Sequence, residues 1–247
     1  MTNTGKNSGS PVVDTRDASD SSLTSPRTDL RDLKSCVREF STHTSPRMIA
    51  VAISVMLVLR AYLGNFSWRD IAVLLLLVAL QPFVEWFIHK YLLHLKPFEV
   101  RGRQIDLISS SEHRKHHMDP SDLDQGVLSW WSVAIFLPMI AVTVTVVSVA
   151  LHPLLGGDLT LLITTGILGS YILLGYYEWM HFLIHTPYVP KTAIYRSIWR
   201  SHRLHHFKHE DYWLGVTSNL GDRALGTFPD KDDVPRSPTA RTLGVDM

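Results

Sequence analysis

The side chains with the clearest chemical potential in this 247-residue chain are its 13 histidines. Imidazole is the commonest protein ligand for metal ions. Ten imidazoles are more than one tetrahedral ion can bind, so their number predicts two metal ions held side by side. The ten candidate ligands fall in four boxes, numbered here in chain order: His89 and His94; His113, His116 and His117; His181 and His185; His202, His205 and His206.

The spacing within three boxes places imidazoles on one face of a helix. The second box has an i, i+3, i+4 pattern, the fourth box repeats it, and the third box is an i, i+4 pair. The first box differs, because residues five apart are rotated by about 140° on an α-helix. We therefore expect the helix to end or distort between His89 and His94, or these two imidazoles to serve different ions. Pro97 favours an end.

Three histidines lie outside the four boxes. We expect structural roles for His43 and His152, while His209 fits a ligand, a substrate-pocket residue or a surface residue. Carboxylates often orient metal-bound imidazoles through the second ring nitrogen. The acids close enough in sequence for that role are Glu85, Glu112, Asp119, Asp122 and Glu178, although such acids are more often helix-surface or capping residues. Glu85 and Glu178 are the favoured candidates, because a carboxylate near a membrane segment is costly unless it is used.

The metal must be bound by nitrogen and oxygen atoms. The chain has one cysteine, Cys36, which excludes a multi-thiolate site and a disulfide framework. Nitrogen ligands suit zinc, iron, copper and nickel alike. A histidine-rich dinuclear site with little carboxylate is compatible with iron that activates O₂.

Four long apolar stretches must position the boxes. Each approaches the roughly 20 apolar residues that cross a hydrocarbon core. Short polar breaks pair them, so we predict an all-α integral membrane protein with four transmembrane helices in two hairpins. The alternative of a soluble all-α core is disfavoured, because soluble helices are seldom apolar on all sides. The stretches are residues 48–63, 68–93, 127–151 and 159–180.

The distribution of lysine and arginine predicts the orientation. Of the two loops opposite the boxes, one carries only Arg69 and the other carries no such residue. The cationic residues concentrate before the first helix, in residues 96–125 and after His185. The positive-inside rule then predicts that all four boxes lie on the cytosolic face. The net charge of +1 gives no indication of a nucleic-acid partner.

The polar ends suggest three divisions of the chain. Residues 1–45 are predicted to form a disordered arm, in which residues 28–42 could form a membrane-surface helix or, as we favour, a weakly ordered lead-in. The first 47 residues lack the apolar core of a cleavable signal peptide. Residues 46–227 are the membrane-embedded domain, with an amphipathic helical cap at 187–214. Residues 228–247 are predicted to be a flexible tail.

Five segments carry a resemblance to a known family. They resemble the fatty acid hydroxylase/sterol desaturase superfamily, most nearly its fatty acid 2-hydroxylase branch, over residues 81–227. The resemblance implies an integral membrane oxidoreductase whose cytosolic helical cap holds a dimetal site. It implies all ten box histidines as ligands and iron as the active metal, with zinc as an alternative in purified protein. The segments are HKYLLHLKP, EHRKHHMDPSD, MHFLIH, SHRLHHFKH and GVTSNLGDRALGT.

The same resemblance implies a reaction and its partners. A C–H bond of a fatty acyl chain or related lipid would be hydroxylated with O₂ and external electrons. Many members of the branch carry a fused cytochrome b5 domain, whereas we expect a separate donor here, of cytochrome b5, ferredoxin or reductase type. Leu220 stands where the branch usually has Trp, and its Pro-rich segment after the second box is missing. These departures leave lipid or sterol desaturation open.

Two readings from other functional classes compete with the oxygenase. A histidine-rich divalent-metal transporter would need its ligands near the bilayer midplane, whereas the boxes lie at helix ends and beyond. Bis-histidine haem electron transfer would use a few histidines and leave the others unexplained.

Overall fold

The computed structural model describes residues 30–245 of the chain. Within that range the protein is mostly helical, as predicted, with one added two-stranded hairpin. The helices are α1 Leu33–Phe40, α2 Thr44–Leu63, α3 Trp68–Phe87 continued by a π-helix Ile88–Leu93, α4 Ile108–Met118, α5 Trp130–Leu155, α6 Leu159–His185, α7 Ala193–Phe207, α8 Leu220–Leu225 and a 3₁₀ turn Lys231–Asp233. The antiparallel hairpin joins β1 Phe98–Val100 to β2 Arg103–Ile105, with Phe98 opposite Ile105.

Four helices are long and apolar enough to cross a membrane: α2, α3 with its π-helical extension, α5 and α6. Their outward faces carry large apolar side chains that no other part of the described chain covers. Val58, Leu75 and Val142, for example, are 69%, 64% and 63% exposed. A soluble core would bury such residues. The prediction of four membrane-spanning helices is therefore confirmed, and they indicate a multi-pass membrane protein.

Helix α6 is the centre of this bundle and packs against α2, α3 and α5. Glycines allow the close approach: a Cβ atom at Gly169 would lie 2.8 Å from side-chain carbons of Leu74 and Leu77 on α3. Small residues at helix interfaces are typical of membrane bundles. Because α6 carries the third histidine box at its last turn, this packing fixes the position of that box relative to the other spans.

A buried ion pair joins three spans at the end opposite the boxes. The guanidinium of Arg60 on α2 donates to the carboxylate of Asp70 on α3 at 2.5 Å and to the hydroxyl of Thr165 on α6 at 2.8 Å. Asp70 also accepts the backbone N–H of Ser67, which completes a capping box at the start of α3. Charged groups inside a membrane bundle persist where they are paired in this way.

The chain before α2 is ordered where the structure describes it, unlike the predicted disordered arm, and α1 lies inside the segment 28–42 for which a short helix was one of the two possibilities. Residues 1–29 lie outside the described part of the chain. Beyond them, Asp32 caps α1 by accepting the N–H of Ser35 at 2.9 Å. Leu30 and Cys36 are buried against Leu123 and residues of α6. A short apolar face was enough to hold this segment on the fold, although its overall composition is polar.

The cap differs from the prediction in its helix boundaries. Residues 187–214 were expected to be helical, but α7 begins only after Thr192, whose side chain accepts the N–H of Tyr195 at 3.2 Å. Pro187 and Pro190 explain the delay, because proline restricts the residue before it to extended conformations. A further short helix, α8, forms beyond residue 214, where the predicted helical cap ends.

The end of the chain also differs from prediction. The expected flexible tail spans 228–247, and the structure describes it as far as residue 245. Val234, Ala240 and Leu243 are buried, so this part of the tail packs on the fold. These residues are separated by polar ones, which dilute the apolar signal in the sequence.

Candidate metal centre

The first box lies at the π-helix that continues α3, with His89 inside it and His94 directly after its last residue. Its backbone N–H groups bond five residues back, as between the N–H of His94 and the carbonyl of His89 at 3.2 Å. This wider turn brings residues five apart towards the same face, where an α-helix would separate them. The predicted distortion is therefore present, and it allows both imidazoles to point into one site.

The ten box histidines assemble into two groups of five. In each group the candidate ligand atoms lie within 4.8 Å of one another. Nine of the ten imidazoles are buried and His94 is half-buried. The first set is His89, His94, His113, His117 and His205, and the second set is His116, His181, His185, His202 and His206.

The second and fourth boxes contribute to both sets. Residues four apart on a helix differ by only about 40° in direction, so His113 and His117 enter the same set. His116 is rotated by about 100° from His117 and points into the other set. The two sets adjoin each other, because the ring centroids of His117 and His206 are 4.2 Å apart. Sharing two helices in this way keeps the two sets side by side.

The nitrogen separations fit ligands of a common ion. Five Nε2 pairs lie 3.0–3.2 Å apart, among them His117 with His205 and His116 with His185. Metal–nitrogen distances of about 2.0–2.1 Å, with angles between about 90° and 109°, place ligand nitrogens about 2.9–3.4 Å apart. The Nε2 atoms of His94 and His181 are buried without a hydrogen-bond partner. Ligation would satisfy these atoms, so the residues fit two metal ions.

Backbone carbonyls fix the orientation of four rings. The Nδ1–H of His89 donates to the carbonyl of Leu214 at 2.5 Å. A carbonyl can only accept, so each of these rings carries its proton on Nδ1 and presents the Nε2 lone pair to the site. The other three pairs are His117 with Ala240 at 2.8 Å, His181 with Gly126 at 2.9 Å and His205 with Tyr212 at 2.9 Å.

Burial keeps the imidazoles of the cap neutral. It lowers the pKa of His117 from the usual 6.5 to about 3. The pKa of His205 falls well below 6.5 for the same reason, and the nearby imidazole of His117 lowers it further. A metal ligand must be deprotonated, so low pKa values favour binding at neutral pH. Burial likewise lowers the pKa well below 6.5 for His94, His113, His116, His202 and His206.

The five candidate acids bond to groups other than imidazoles, so the imidazole contact favoured for Glu85 and Glu178 is wrong, and the alternative of other polar roles holds for all five. Glu85 accepts from the loop at residues 216–217, and Glu178 accepts from the hydroxyl of Ser45 and the N–H of Leu128. The remaining three bond to neighbouring polar groups: Glu112 to Ser132, Asp119 to Ser121 and Asp122 to Asp124. Backbone carbonyls, instead of these carboxylates, accept from the second ring nitrogen of the imidazoles. Every residue type has the same carbonyl group, so the sequence cannot show which carbonyls do this.

The three histidines outside the boxes lie outside both sets. His43 precedes α2 and pairs with Asp124 at 3.2 Å, while His152 donates to the carbonyl of Gly157 at 3.0 Å. These contacts agree with structural roles. His209 accepts the N–H of Asp211 at 3.3 Å and stacks edge-on with Tyr212, which places it beside the fourth box and away from the converging nitrogens.

The chain is similar to known lipid hydroxylases. It is 26% identical over 147 residues to a dihydroceramide fatty acyl 2-hydroxylase of Arabidopsis thaliana, covering 59% of this chain and 56% of that protein. A second dihydroceramide fatty acyl 2-hydroxylase of Arabidopsis thaliana is 27% identical over 148 residues, and the matched region covers 60% of this chain and 56% of that protein. The fatty acid 2-hydroxylase of Homo sapiens is 26% identical over 196 residues, and the matched region covers 79% of this chain and 46% of that protein. The chain thus spans about half the length of these relatives.

No solved structure matches the chain significantly. A family model does: residues 74–227, which include all four boxes, match the fatty acid hydroxylase model. That segment is more than half of the chain. The chain belongs to the fatty acid hydroxylase family.

Proposed function

We propose that this protein is a membrane oxidoreductase that hydroxylates a C–H bond of a fatty acyl chain or related lipid. The reaction uses O₂ and electrons from an external donor of cytochrome b5, ferredoxin or reductase type. The observation that carries the proposal is the pair of adjoining buried imidazole sets at one end of a bundle of four membrane-type helices. Family membership and the names of the three relatives supply the lipid substrate.

We further propose one ion in each set, with iron as the active metal and all ten box histidines as ligands. Iron bound there supplies the one-electron and O₂ chemistry that amino-acid side chains lack. The chain contributes orientation, because the carbonyls of Leu214, Ala240, Gly126 and Tyr212 hold their four rings. It also excludes water, since the imidazoles of His117, His202 and His205 have no exposed surface. A dry site limits side reactions of activated oxygen.

The lipid would reach the site from the bilayer between α7 and α8. Helix α8 packs closely against a membrane span, since a Cβ atom at Gly221 would be 2.4 Å from the carbonyl oxygen of Pro82 on α3. A cavity of about 310 Å³ opens beside it, and its wall includes Ile194, Ile198 and Leu220. Ile198 is four residues, or about one helical turn, before His202. We propose that an acyl lipid enters through this cavity.

Leu220 tests that route. Replacing it with tryptophan narrows the cavity and restores the residue usual in the 2-hydroxylase branch. The side chain of Leu220 is half-exposed, and Leu220 makes no hydrogen bond to a box histidine among the described residues. We therefore expect the metal content to be unchanged. The ratio of hydroxylated products from a short-chain and a long-chain acyl lipid should change by about tenfold or more. Leu225→Trp, at an exposed position on the same helix outside the cavity wall, is the control. An unchanged ratio in Leu220→Trp would contradict this entry route.

We propose that the chain is a multi-pass membrane protein whose histidine boxes lie on the cytosolic face of the membrane. All four boxes lie at or beyond one end of the bundle, on the end of α3, on α4, on the end of α6 and on α7. The cationic residues of the cap favour the cytosolic side. This placement away from the bilayer midplane also disfavours metal transport. Nε2 pairs 3.0–3.2 Å apart leave no room for a porphyrin between them, which disfavours the haem reading.

Isotope labelling in cells tests the reaction. The chain and its His205→Ala variant would be expressed separately in a host without hydroxylated acyl lipids, grown under ¹⁸O₂. We expect mass spectrometry to find acyl lipids carrying one ¹⁸O atom only with the unaltered chain. Products lacking two hydrogens, without ¹⁸O, would instead identify the desaturase alternative. No change in any hydroxylated or unsaturated lipid, in cells shown to contain the metal-loaded protein, would contradict the proposed function.

A further inference from the structure

The last described segment of the chain reaches the imidazole sets. We call residues 234–243 the C-terminal strap. It begins and ends at buried apolar side chains, Val234 and Leu243, which are 6% and 4% exposed. Between them, the carbonyl of buried Ala240 accepts the Nδ1–H of His117 at 2.8 Å. The strap lies beyond residue 227, where the match to the family model ends.

The strap also caps the two helices that serve both sets. The last carbonyls of an α-helix have no partner within the helix. The guanidinium of Arg241 donates to the carbonyl of Met118, the last residue of α4. At the end of α7, the Nε–H of Arg236 donates to the carbonyl of Phe207 at 3.1 Å, and the N–H of Ser237 donates to Lys208 at 2.8 Å. The strap therefore holds together the ends of the helices that carry the second and fourth boxes.

Further contacts fix the strap in register. The hydroxyl of Thr239 donates to the carboxylate of Glu210, and the guanidinium of Arg241 lies 5.6 Å from the ring centroid of Phe207. Both contacts flank Ala240, so its carbonyl is held from each side. An acceptor fixed in this way can set the direction of the ring that donates to it.

We propose that the C-terminal strap is a positioning element of the metal centre, with the Ala240 carbonyl holding His117 in its ligating orientation. This proposal rests on the metal binding that the proposed function requires. It predicts an unequal effect on the two ions. His117 belongs to the first set, so displacement of the carbonyl should weaken the ion of that set and spare the ion of the second.

Two substitutions at one position test the proposal. Ala240→Leu adds three carbons at a position that is 4% exposed, which forces the strap away from His117. Ala240→Ser is nearly isosteric and keeps the backbone in place. Purified, metal-free protein would be titrated with Co²⁺, followed by visible absorption and by bound metal per chain. We expect Ala240→Leu to weaken one of two equivalents by about 10–100-fold and Ala240→Ser to retain both.

A second variant covers loss of folding in Ala240→Leu. Arg241→Ala removes an exposed side chain and its contacts with Met118 and Phe207, and Arg241→Lys keeps the charge. We expect Arg241→Ala to weaken the equivalent of the first set more than that of the second, because Arg241 neighbours Ala240, with partial rescue in Arg241→Lys. The proposal would be overturned if folded Ala240→Leu and Arg241→Ala bound both equivalents as tightly as the unaltered chain. It would also be overturned if both equivalents were weakened to the same extent. Failure of the unaltered chain to bind Co²⁺ would instead contradict the metal binding of the proposed function itself.

Discussion

Alanine in place of His205 or His116 is expected to abolish lipid oxidation and to remove one metal equivalent from each chain. The two residues belong to different sets, and the Nε2 atom of each lies 3.1 Å from that of another candidate ligand. A site whose groups act as a unit loses nearly everything when one is removed. We therefore expect activity to fall by roughly a thousandfold or more in either variant.

The measurement is metal per chain, together with hydroxylated lipid formed in the same preparation. His43→Ala is the matched control, because His43 lies outside both sets and contacts Asp124 and Phe182 instead. It should retain both metal equivalents and full activity. Turnover at the level of the unaltered chain in His116→Ala or His205→Ala would refute the assignment of these two ligands. Loss of metal in His43→Ala alone would refute the separation of structural from ligating histidines.

The spans and the boxes could be predicted because their signals are local. A run of about 20 apolar residues identifies a membrane helix by itself, and i, i+4 spacing places two imidazoles together on any helix. The structure extends two predicted spans by a few residues, to Thr44 at the start of α2 and to His185 at the end of α6. It also moves the predicted span 127–151 to Trp130–Leu155. Turn-forming and capping residues set such ends, and apolar periodicity does not register them.

Membership of the two sets could not be predicted. It depends on how α4 and α7 are rotated relative to the spans, and only tertiary packing sets that rotation. The π-helix is a similar case: the five-residue spacing of His89 and His94 indicated a distortion, and the sequence left open whether the helix ends or widens there. Once the turn is known to be widened, the shared set of these two residues follows.

The carbonyl partners had no signal at all. Every residue carries the same carbonyl group, so the roles of Leu214, Tyr212, Gly126 and Ala240 follow only from the path of the backbone. Sequence reasoning assigned that role to carboxylates, since these are the side chains known to orient imidazoles. For Glu85 the assignment was wrong in its contact, yet the residue acts on the same centre through one further link.

Glu85 holds the loop whose carbonyl orients His89. One carboxylate oxygen accepts the N–H groups of Val216 and Thr217, the latter at 2.9 Å, and the other accepts the Thr217 hydroxyl at 2.5 Å. Two residues before Val216, the carbonyl of Leu214 accepts from His89. The loop and the carboxylate are both buried. A change at Glu85 should therefore reach the first set without touching a ligand.

Replacing Glu85 with leucine should destabilise the protein and loosen its metal. The change leaves the N–H groups of Val216 and Thr217 buried without an acceptor, at about 1–3 kcal/mol each. We expect the free energy of unfolding to fall by about 2–6 kcal/mol in lipid-like micelles. Hydrogen exchange should accelerate at these two amides. Metal affinity should fall for one equivalent, because the ring of His89 is no longer held.

Glu85→Gln separates the loss of hydrogen bonds from the loss of charge. Glutamine keeps one carbonyl oxygen for the two N–H groups, and its NH₂ group can donate to the Thr217 hydroxyl, which then acts as acceptor. We expect this variant to retain most of the stability and both metal equivalents. If Glu85→Leu and Glu85→Gln lost stability equally, the negative charge would be what matters. If Glu85→Leu kept both its stability and the protection of these amides, the link from Glu85 through the loop to His89 would be refuted. Asp222 would then have to hold the loop alone, since it accepts the N–H groups of Leu214 and Gly215 at 2.9 and 2.7 Å.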